Sequence, residues 1–532
     1  MNELLLNRLL AVRSLTIAVV LCCAVSANAG TLDPELAKEV ASATSSREIG
    51  VIVKMKQGID HVALLASLQG ETRHARVAKV VQALKDNAER SQQKIRGDIA
   101  SKKSIGKVKG VRQFWIFNGF ALKATPDAIL ELAARDDVNE VVPDRVLTLA
   151  TPPIETAAAA GIWNLDIIGA PLLWSKGFTG QGIVVASLDT GVDITHPALA
   201  SKWRGGVTDW FDPYNNTTTP YDVDGHGTAT MGIMTAGNTS DNPVGVAPGA
   251  TWIAAKIFDD SGHALTSSIH AAFQWVMNPD GNAATQDAPD VVNNSWDLGN
   301  TGGYDTEFLT DIQNLKAAGI EVVFSAGNSG PFANTSTSPG NYPGAISVGA
   351  TDQNDLIASF SSRGPSPAGG SSVFPVLVAP GVRIRSTGLN GTYGTLANNG
   401  TSFSAPHVAG AYALLKSAIP GLTMQQAEDA LLNSVVGANG PDNTYGYGRL
   451  DVGKAYSYLT MPGDLNGDGK IDAADLLMLL RVIVGRTAAT PLITKNGDVF
   501  PLGSNGAPHG DGSITIHDAI VILQRVVGLI TW

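Results

Sequence analysis

The sequence predicts an α/β fold over about residues 162–460, a mostly parallel sheet with helices on both faces. Three observations carry this expectation. Short apolar strands (Ile183 to Leu188, Trp252 to Ile257, Val291 to Asn294, Val322 to Ser325, Ala345 to Val348) alternate with helical stretches near 263–277, 305–318, 404–418 and 424–434. Strands apolar on both faces need cover on both. The texture changes on either side of this region, so a small α+β domain is expected before it and a small all-α module with calcium loops after it.

The first 29 residues read as a secretory leader. Arg8 and Arg13 precede an apolar run from Leu15 to Val25, and Ala27-Asn28-Ala29 supplies a small-x-small cleavage pattern. The run is shorter than the roughly 20 residues of a membrane-spanning helix, so no span is expected after leader removal. Both cysteines, Cys22 and Cys23, would leave with it. A chain without thiols has neither disulfides nor cysteine-bound zinc, which makes calcium the expected external staple.

Residues 30–150 form the next segment, with a folded part expected at about 47–150. The order is strand (Ile49 to Met55), a polar helical stretch (about 71–100), strand (Gly110 to Leu122), helix (Pro126 to Ala134) and strand (Val138 to Val146). This suits a small open sheet with helices on one face. Pro152-Pro153 and the alanine run Ala157 to Ala160 offer few packing anchors, so 151–161 reads as a linker. Beyond Pro462, residues 461–532 contain an internal duplication, Gly463 to Gly485 and Gly497 to Gly528.

Charge divides along the same lines. Residues 31–150 carry 19 basic and 15 acidic groups (+4), whereas 151–532 carry 16 and 32 (−16). The acidic balance of the larger part disfavours nucleic acid as a partner, and the opposite signs favour association of the two parts. With 58 Gly among 532 residues but no Gly-X-Y period, a fibrous protein is excluded.

Three motifs bear chemistry. Ser187-Leu188-Asp189-Thr190-Gly191 puts a carboxylate at the carboxyl end of a buried strand, where parallel sheets form their crevice. Asp224-Gly225-His226-Gly227-Thr228 sets an imidazole between glycines that admit a close neighbour. Asn399-Gly400-Thr401-Ser402-Phe403-Ser404-Ala405-Pro406 places a hydroxyl at a Gly-to-helix junction, where free backbone N–H groups suit an oxyanion. Singly, each has a plain structural reading: a turn Asp, a surface or metal-ligating His, an N-cap Ser or Thr. Together they supply an acid, a base and a nucleophile. A serine needs a base to take its proton, and the base needs a carboxylate to fix its tautomer.

In this order and these surroundings, Asp189, His226 and Ser402 resemble the subtilisin (subtilase) family of serine proteases. The resemblance covers about 162–460 and includes Gly177 to Gly182, Gly245 to Pro248 and Tyr445 to Leu450. It implies that Asp189 orients, His226 is general base then acid, and Ser402 attacks. Phe324 to Gly330 is similar to the segment whose Asn donates to the oxyanion, which assigns Asn328 that role over its rival Asn294. Asn293-Asn294-Ser295-Trp296 resembles the family's substrate-pairing edge strand, with Ser325, Ala326 and Gly327 as further pocket walls. Neutral Ser329 and the interruption Trp296-Asp297 suggest apolar or aromatic residues before the cut. Residues 47–150 resemble the family's inhibitory propeptide, especially Val138 to Leu149, and self-cleavage near 149–151 is the expectation. Relatives often bind calcium after the first motif, but Ala198 stands in the ligand's place, so no site is carried over there.

In the C-terminal module, Asp464, Asn466, Asp468, Lys470 (by its carbonyl) and Asp475 fall at calcium-loop positions 1, 3, 5, 7 and 12, with Gly469 at position 6. The second copy departs from this spacing: Asp498 lies 20 residues before Asp518, whereas Asp464 lies 11 before Asp475. Nine inserted residues between Asp498 and Asp511 would restore the match, giving Asp498, Asp511 and Asp518 as second-loop ligands. The duplicate resembles a type I dockerin, which implies a cohesin-like partner, with a cell-envelope ligand as the other reading. The whole predicts a secreted, self-processed endopeptidase of broad specificity acting on peptides. The rival is a catalytically silent scaffold or adhesion protein presenting the calcium module. An esterase lacks its Gly-x-Ser-x-Gly elbow around Ser402.

Overall fold

The computed structural model describes residues 30–149, 162–237, 243–368, 373–395, 399–437 and 440–532. The expected leader and linker lie outside the described residues. Two units are distinguishable, one comprising residues up to 67 with 82–145, the other 68–81 with 146–532.

The first unit begins earlier than residue 47. Strand β1 (Thr31–Leu32) precedes helix α1 (Pro34–Ser42), which Asp33 caps by accepting from the Glu35 and Leu36 N–H groups. Asp followed by Pro is a helix-start signal. Beyond lie β2 (Ile49–Met55), the helices α2 (Arg73–Ser91), whose residues up to 81 group with the second unit, and α3 (Gln93–Ser104), β3 (Val108–Phe114), β4 (Gly119–Ala124), α4 (Pro126–Ala133) and β5 (Val138–Pro143). The strand order is β1-β5-β2-β4-β3, with β2 antiparallel to both neighbours. Val51, Val53, Phe120, Leu122 and Val141 pack beneath Ile95, Ile99, Ile129 and Leu132. The single strand expected at 110–122 is instead a hairpin. Asn118, at φ 60°, turns the chain, and Gly119 follows because a Cβ there would sit 2.3 Å from the Val53 carbonyl oxygen. The long polar helix is interrupted at fully buried Gln92, whose amide donates to the Phe114 carbonyl and to Asn118 Oδ1.

The second unit holds a seven-stranded sheet. Its strands are β7 (Val184–Asp189), β8 (Trp210–Phe211), β9 (Thr251–Lys256), β11 (Val291–Asn294), β12 (Glu321–Ser325), β13 (Ile346–Thr351) and β14 (Leu377–Pro380), in the order β14-β13-β12-β11-β7-β9-β8. Every pair is parallel. Off this sheet, β6 (Val146–Thr148) pairs antiparallel with β10 (His263–Leu265). The helices that position the site are α5 (His226–Thr235), α6 (Thr266–Met277), α7 (Leu309–Ala317) and α8 (Thr401–Ala418). Residues 401–415 of α8 are all buried, which small side chains permit: a Cβ on Gly410 would fall 2.7 Å from Val246 Cβ. Helix α9 (Val452–Thr460) leads to the duplicated module, where α10 (Ala473–Ile483), α11 (Pro491–Gly497) and α12 (Ile516–Val526) enclose Leu465, Leu479, Ile493, Val499 and Ile522. The module is tied to α9: Asn496 Nδ2 donates to the Ser457 carbonyl at 3.0 Å, and Lys495 Nζ stands 4.0 Å above the Tyr458 ring. Among the described residues, no helix is long and apolar enough to cross a membrane.

Candidate active site

Asp189 is the last residue of β7 and His226 the first of α5, so the carboxyl end of a buried strand meets a helix start. His226 Nδ1 lies 2.7 Å from Asp189 Oδ1. The carboxylate is fixed from two other sides, accepting from the Thr190 N–H (2.7 Å) and from Thr230 Oγ1 (3.3 Å). The glycine after the histidine has a steric reason, because a Cβ on Gly227 would lie 2.2 Å from the Gly191 carbonyl oxygen. Both side chains are buried. Burial disfavours the His226 imidazolium, but the Asp189 charge and hydrogen bond, with Asp224 and Asp222 beyond, outweigh it and raise the pKa. The other ring nitrogen, Nε2, is buried and has no partner among the described residues.

Ser402 occupies the first turn of α8, with Gly400 as a cap that has no side chain to offer. Asn328 supplies one from 73 residues away: its Oδ1 accepts from the Thr401 N–H (2.9 Å) and Thr401 Oγ1 (3.0 Å). The amide oxygen being spent there, Nδ2 is the polar end left for another acceptor. Ser402 Oγ donates to the Ser295 carbonyl at 3.2 Å, and Ser295 Oγ returns a 2.8 Å bond to the Ser402 carbonyl. That carbonyl is available because Pro406, four residues on, has no N–H to claim it. The His226 ring stands beside the next residue in the chain, Phe403, at 5.9 Å between ring centroids. The serine hydroxyl is thus turned to Ser295 while the neighbouring imidazole nitrogen is unpaired.

Two expectations need correction. Asn293 and Asn294 do not lie in an edge strand: β11 is interior, between β7 and β12, and both side chains are fully buried. Asn293 donates to Ser295 Oγ, and Asn294 Nδ2 is spent on the Val323 carbonyl, which removes Asn294 as a rival oxyanion donor. Trp296, expected in the same strand, is turned into the core. It is 3% exposed and packs among Phe273, Phe308 and Phe324. Ser325, Ala326 and Gly327 lie buried at and just past the end of β12, and the Gly327 N–H donates to Thr401 Oγ1.

Sequence reasoning missed another buried imidazole held by carboxylates. His270 on α6 has Nδ1 3.0 Å from Asp311 Oδ1 and Nε2 3.1 Å from Glu307 Oε1. Burial opposes its charge, but the two carboxylates raise its pKa to about 9. Only the ordinary helical setting of His270 marks it in the sequence, and both partners are remote.

In the C-terminal module, Asp464 accepts from the Gly467 and Gly469 N–H groups, while Asp475 accepts from those of Leu465, Asn466 and Asp472. The second copy repeats this pattern. Asp498 accepts from Asp511 and Gly512, and Asp518 from Val499, Phe500 and Thr515. The insertion between Asp498 and Asp511 is therefore looped out, with the position-1 and position-12 residues meeting as in the first copy. Asn466 and Asp468 are themselves joined by a 3.0 Å side-chain bond. Among the described residues, no three His, Cys, Asp or Glu side chains gather as a metal cluster. The first-loop donors, which include an Asn amide and the Lys470 carbonyl, are the hard oxygens that suit calcium, and burial together with the Asp475 charge raises the Asp464 pKa.

Comparison with known proteins gives three matched segments: the subtilase family over residues 180–448, peptidase inhibitor I9 over 50–150, and the dockerin type I domain over 462–527. Bacillopeptidase F of Bacillus subtilis (strain 168) is 36% identical over 425 residues, which are 73% of this chain and 29% of that protein. Subtilisin E of the same organism is 37% identical over 358 residues, 67% of this chain and 84% of the relative. Subtilisin of Bacillus pumilus is 39% identical over 293 residues, 54% and 96% respectively.

Proposed function

The chain belongs to the subtilase family of serine proteases, carrying an I9 propeptide and a type I dockerin domain, and we propose that it is a secreted, self-processed endopeptidase. Ser402 attacks the scissile carbonyl as His226 Nε2 takes its proton. Asp189 holds Nδ1 and stabilises the imidazolium. For this step the Ser402 hydroxyl turns from Ser295 toward Nε2. Asn328 Nδ2 and the Ser402 N–H, an orphan of the first helical turn, receive the developing oxyanion. The imidazolium then protonates the leaving amine, and the same base activates water against the acyl-enzyme. What supports the triad most directly is the 2.7 Å contact of Asp189 with Nδ1 alongside an unpaired, buried Nε2.

The proposed organisation is a leader (1–29), a propeptide (30–150), a linker (151–161), the peptidase (162–460) and the calcium module (461–532). Autoprocessing has its own support: β6 lies against β10 with Leu147 opposite Ala264, and the Leu149 N–H donates to the Gly262 carbonyl at 3.0 Å. An extended segment held by backbone pairing is the mode in which a protease takes a peptide. Neutral Ser329, and an Asp297 carboxyl whose pKa burial raises, favour apolar or aromatic residues before the cut; a peptide-library profile dominated by Lys or Arg would contradict this. A protein partner of the cohesin type is favoured for the module by Ile516, Ile520 and Leu523, exposed at helical spacing on α12, and Val527 just past its end. Calcium would be held by Asp464, Asn466, Asp468, the Lys470 carbonyl and Asp475.

Intact-mass measurement of secreted wild type beside Ser402→Ala tests the reading. Wild type is expected without leader and propeptide, Ser402→Ala without the leader alone. Residues 30–150 retained in both proteins would contradict self-processing.

A further inference from the structure

Residues 68–81 precede the proposed cut by some 70 positions, yet they group with the peptidase rather than with the propeptide sheet. Two arginines on the first turns of α2 reach the peptidase from this segment. Arg73 donates from Nη2 to the Ala288 carbonyl at 3.0 Å and to the Pro289 carbonyl, and its Nη1 lies 3.5 Å from Asp290 Oδ1. Arg76 donates from Nε and Nη2 to the Ala317 carbonyl at 3.3 and 3.2 Å.

The receiving surface suits a guanidinium. Ala317 is the last residue of α7, where orphan carbonyls and the helix dipole favour a cation. Asp290 is mostly buried and is shared with Lys416 Nζ at 3.2 Å and with the Val184 N–H. A planar fork presents fixed, divergent donors to carbonyls and a carboxylate together. Gly319, just past α7, ends the helix at φ 82° and lies beside both arginines.

Position gives the contact its meaning. Asp290 immediately precedes β11 and binds the first N–H of β7, so the notch lies at the amino ends of the strands. Asp189 lies at the carboxyl end of β7, a strand length or roughly 17 Å away. The propeptide segment paired with β10 and the arginine pair therefore occupy separate places on the peptidase.

We propose that residues 68–81 are a second anchor of the propeptide, with Arg73 and Arg76 seated in a carbonyl-lined notch built by 288–290 and the end of α7. Propeptide release then requires two independent sites to open, and the mature enzyme exposes a guanidinium-binding notch away from its cleft. Two linked sites raise retention beyond either alone, and the ionic part weakens with salt. This rests on the propeptide reading above.

Hydrogen exchange of the full-length Ser402→Ala chain, with and without Arg73→Ala/Arg76→Ala, tests the anchor whether or not the chain hydrolyses peptides. The double substitution is expected to speed exchange at least tenfold in 70–81 and 316–320. Amides of β2 and β4 stay unchanged, as the control for folding, and so do those of β6 and β10. Arg73→Lys/Arg76→Lys is expected to fall between the two. Unchanged exchange in both segments after the alanine substitutions, or exchange in 70–81 of the parent as fast as in unstructured peptide, would overturn the proposal. Fast exchange spreading to β2 and β4 would overturn it too, because the arginines would then serve the propeptide fold. In the wild-type background, the alanine pair is expected to shorten propeptide retention at least tenfold after cleavage. An uncut wild type would count against self-processing and leave the exchange result standing.

Discussion

His226 and His270 are both buried imidazoles held by carboxylates in one domain, and each has a partner 37 residues away in the chain. Their surroundings part at the second ring nitrogen. At His226, Asp189 takes Nδ1 and Nε2 is left unpaired, beside the helix turn that carries Ser402. At His270, Glu307 takes Nε2 and Asp311 takes Nδ1, so the ring is saturated. Both pKa values are raised by carboxylates against burial. A raised pKa therefore does not tell the two rings apart; the ring nitrogen left without a hydrogen-bond partner at His226 does.

Ser402→Ala should break the first site most severely, lowering kcat/KM on a peptide substrate by on the order of 10⁶-fold, the scale known for removal of the nucleophile in subtilisin. Asn328→Ala should cost about 2.7–4 kcal/mol of transition-state stabilisation, again on the scale of the subtilisin oxyanion residue. It should also lower stability by about 1 kcal/mol, because the Thr401 N–H loses its cap. Steady-state kinetics and urea unfolding of the same preparation separate the two effects.

His270→Ala should invert that pattern. Two carboxylates left buried without their cation cost about 3–5 kcal/mol of stability, while kcat/KM of the folded fraction at low temperature stays near wild type. The pH dependence follows in sign. A folded pKa of about 9 lies above the unfolded value of about 6.5, so the stabilisation is full below about pH 6.5 and is lost as pH rises through about 9. Melting curves across that window should fall more steeply for wild type than for His270→Ala. The smallest effect is expected for exposed Asp224, one of the charges that raise the His226 pKa. Asp224→Asn should shift the acid limb of the kcat/KM profile downward by roughly a few tenths of a pH unit, and less in high salt.

The parts legible in the sequence were those written locally. Ile49 to Met55 and Val291 to Asn294 read as strands from apolar runs, and both bounds agree with the structure. Asp189, His226 and Ser402 stood out because glycines or element ends sit beside each. His270 has no such flank, only a helix of ordinary composition. The Asn328 cap on Thr401 and the β11 position between β7 and β12 depend on residues brought together by the sheet, which spacing along the chain does not report. The resemblance put Asn293 and Asn294 in an edge strand, whereas the sheet interior pairs their amides with Ser295 and Val323. Pro406 is visible in the sequence, but the Ser402 carbonyl it frees gains a partner only where the fold brings the Ser295 hydroxyl to it.

Fluorophosphonate labelling followed by peptide mapping tests the contrast between the two histidines most directly. An adduct is expected on Ser402 in the wild type, with its loss in His226→Ala and its retention in folded His270→Ala. An adduct on another serine, or undiminished labelling of Ser402 in His226→Ala, would contradict it.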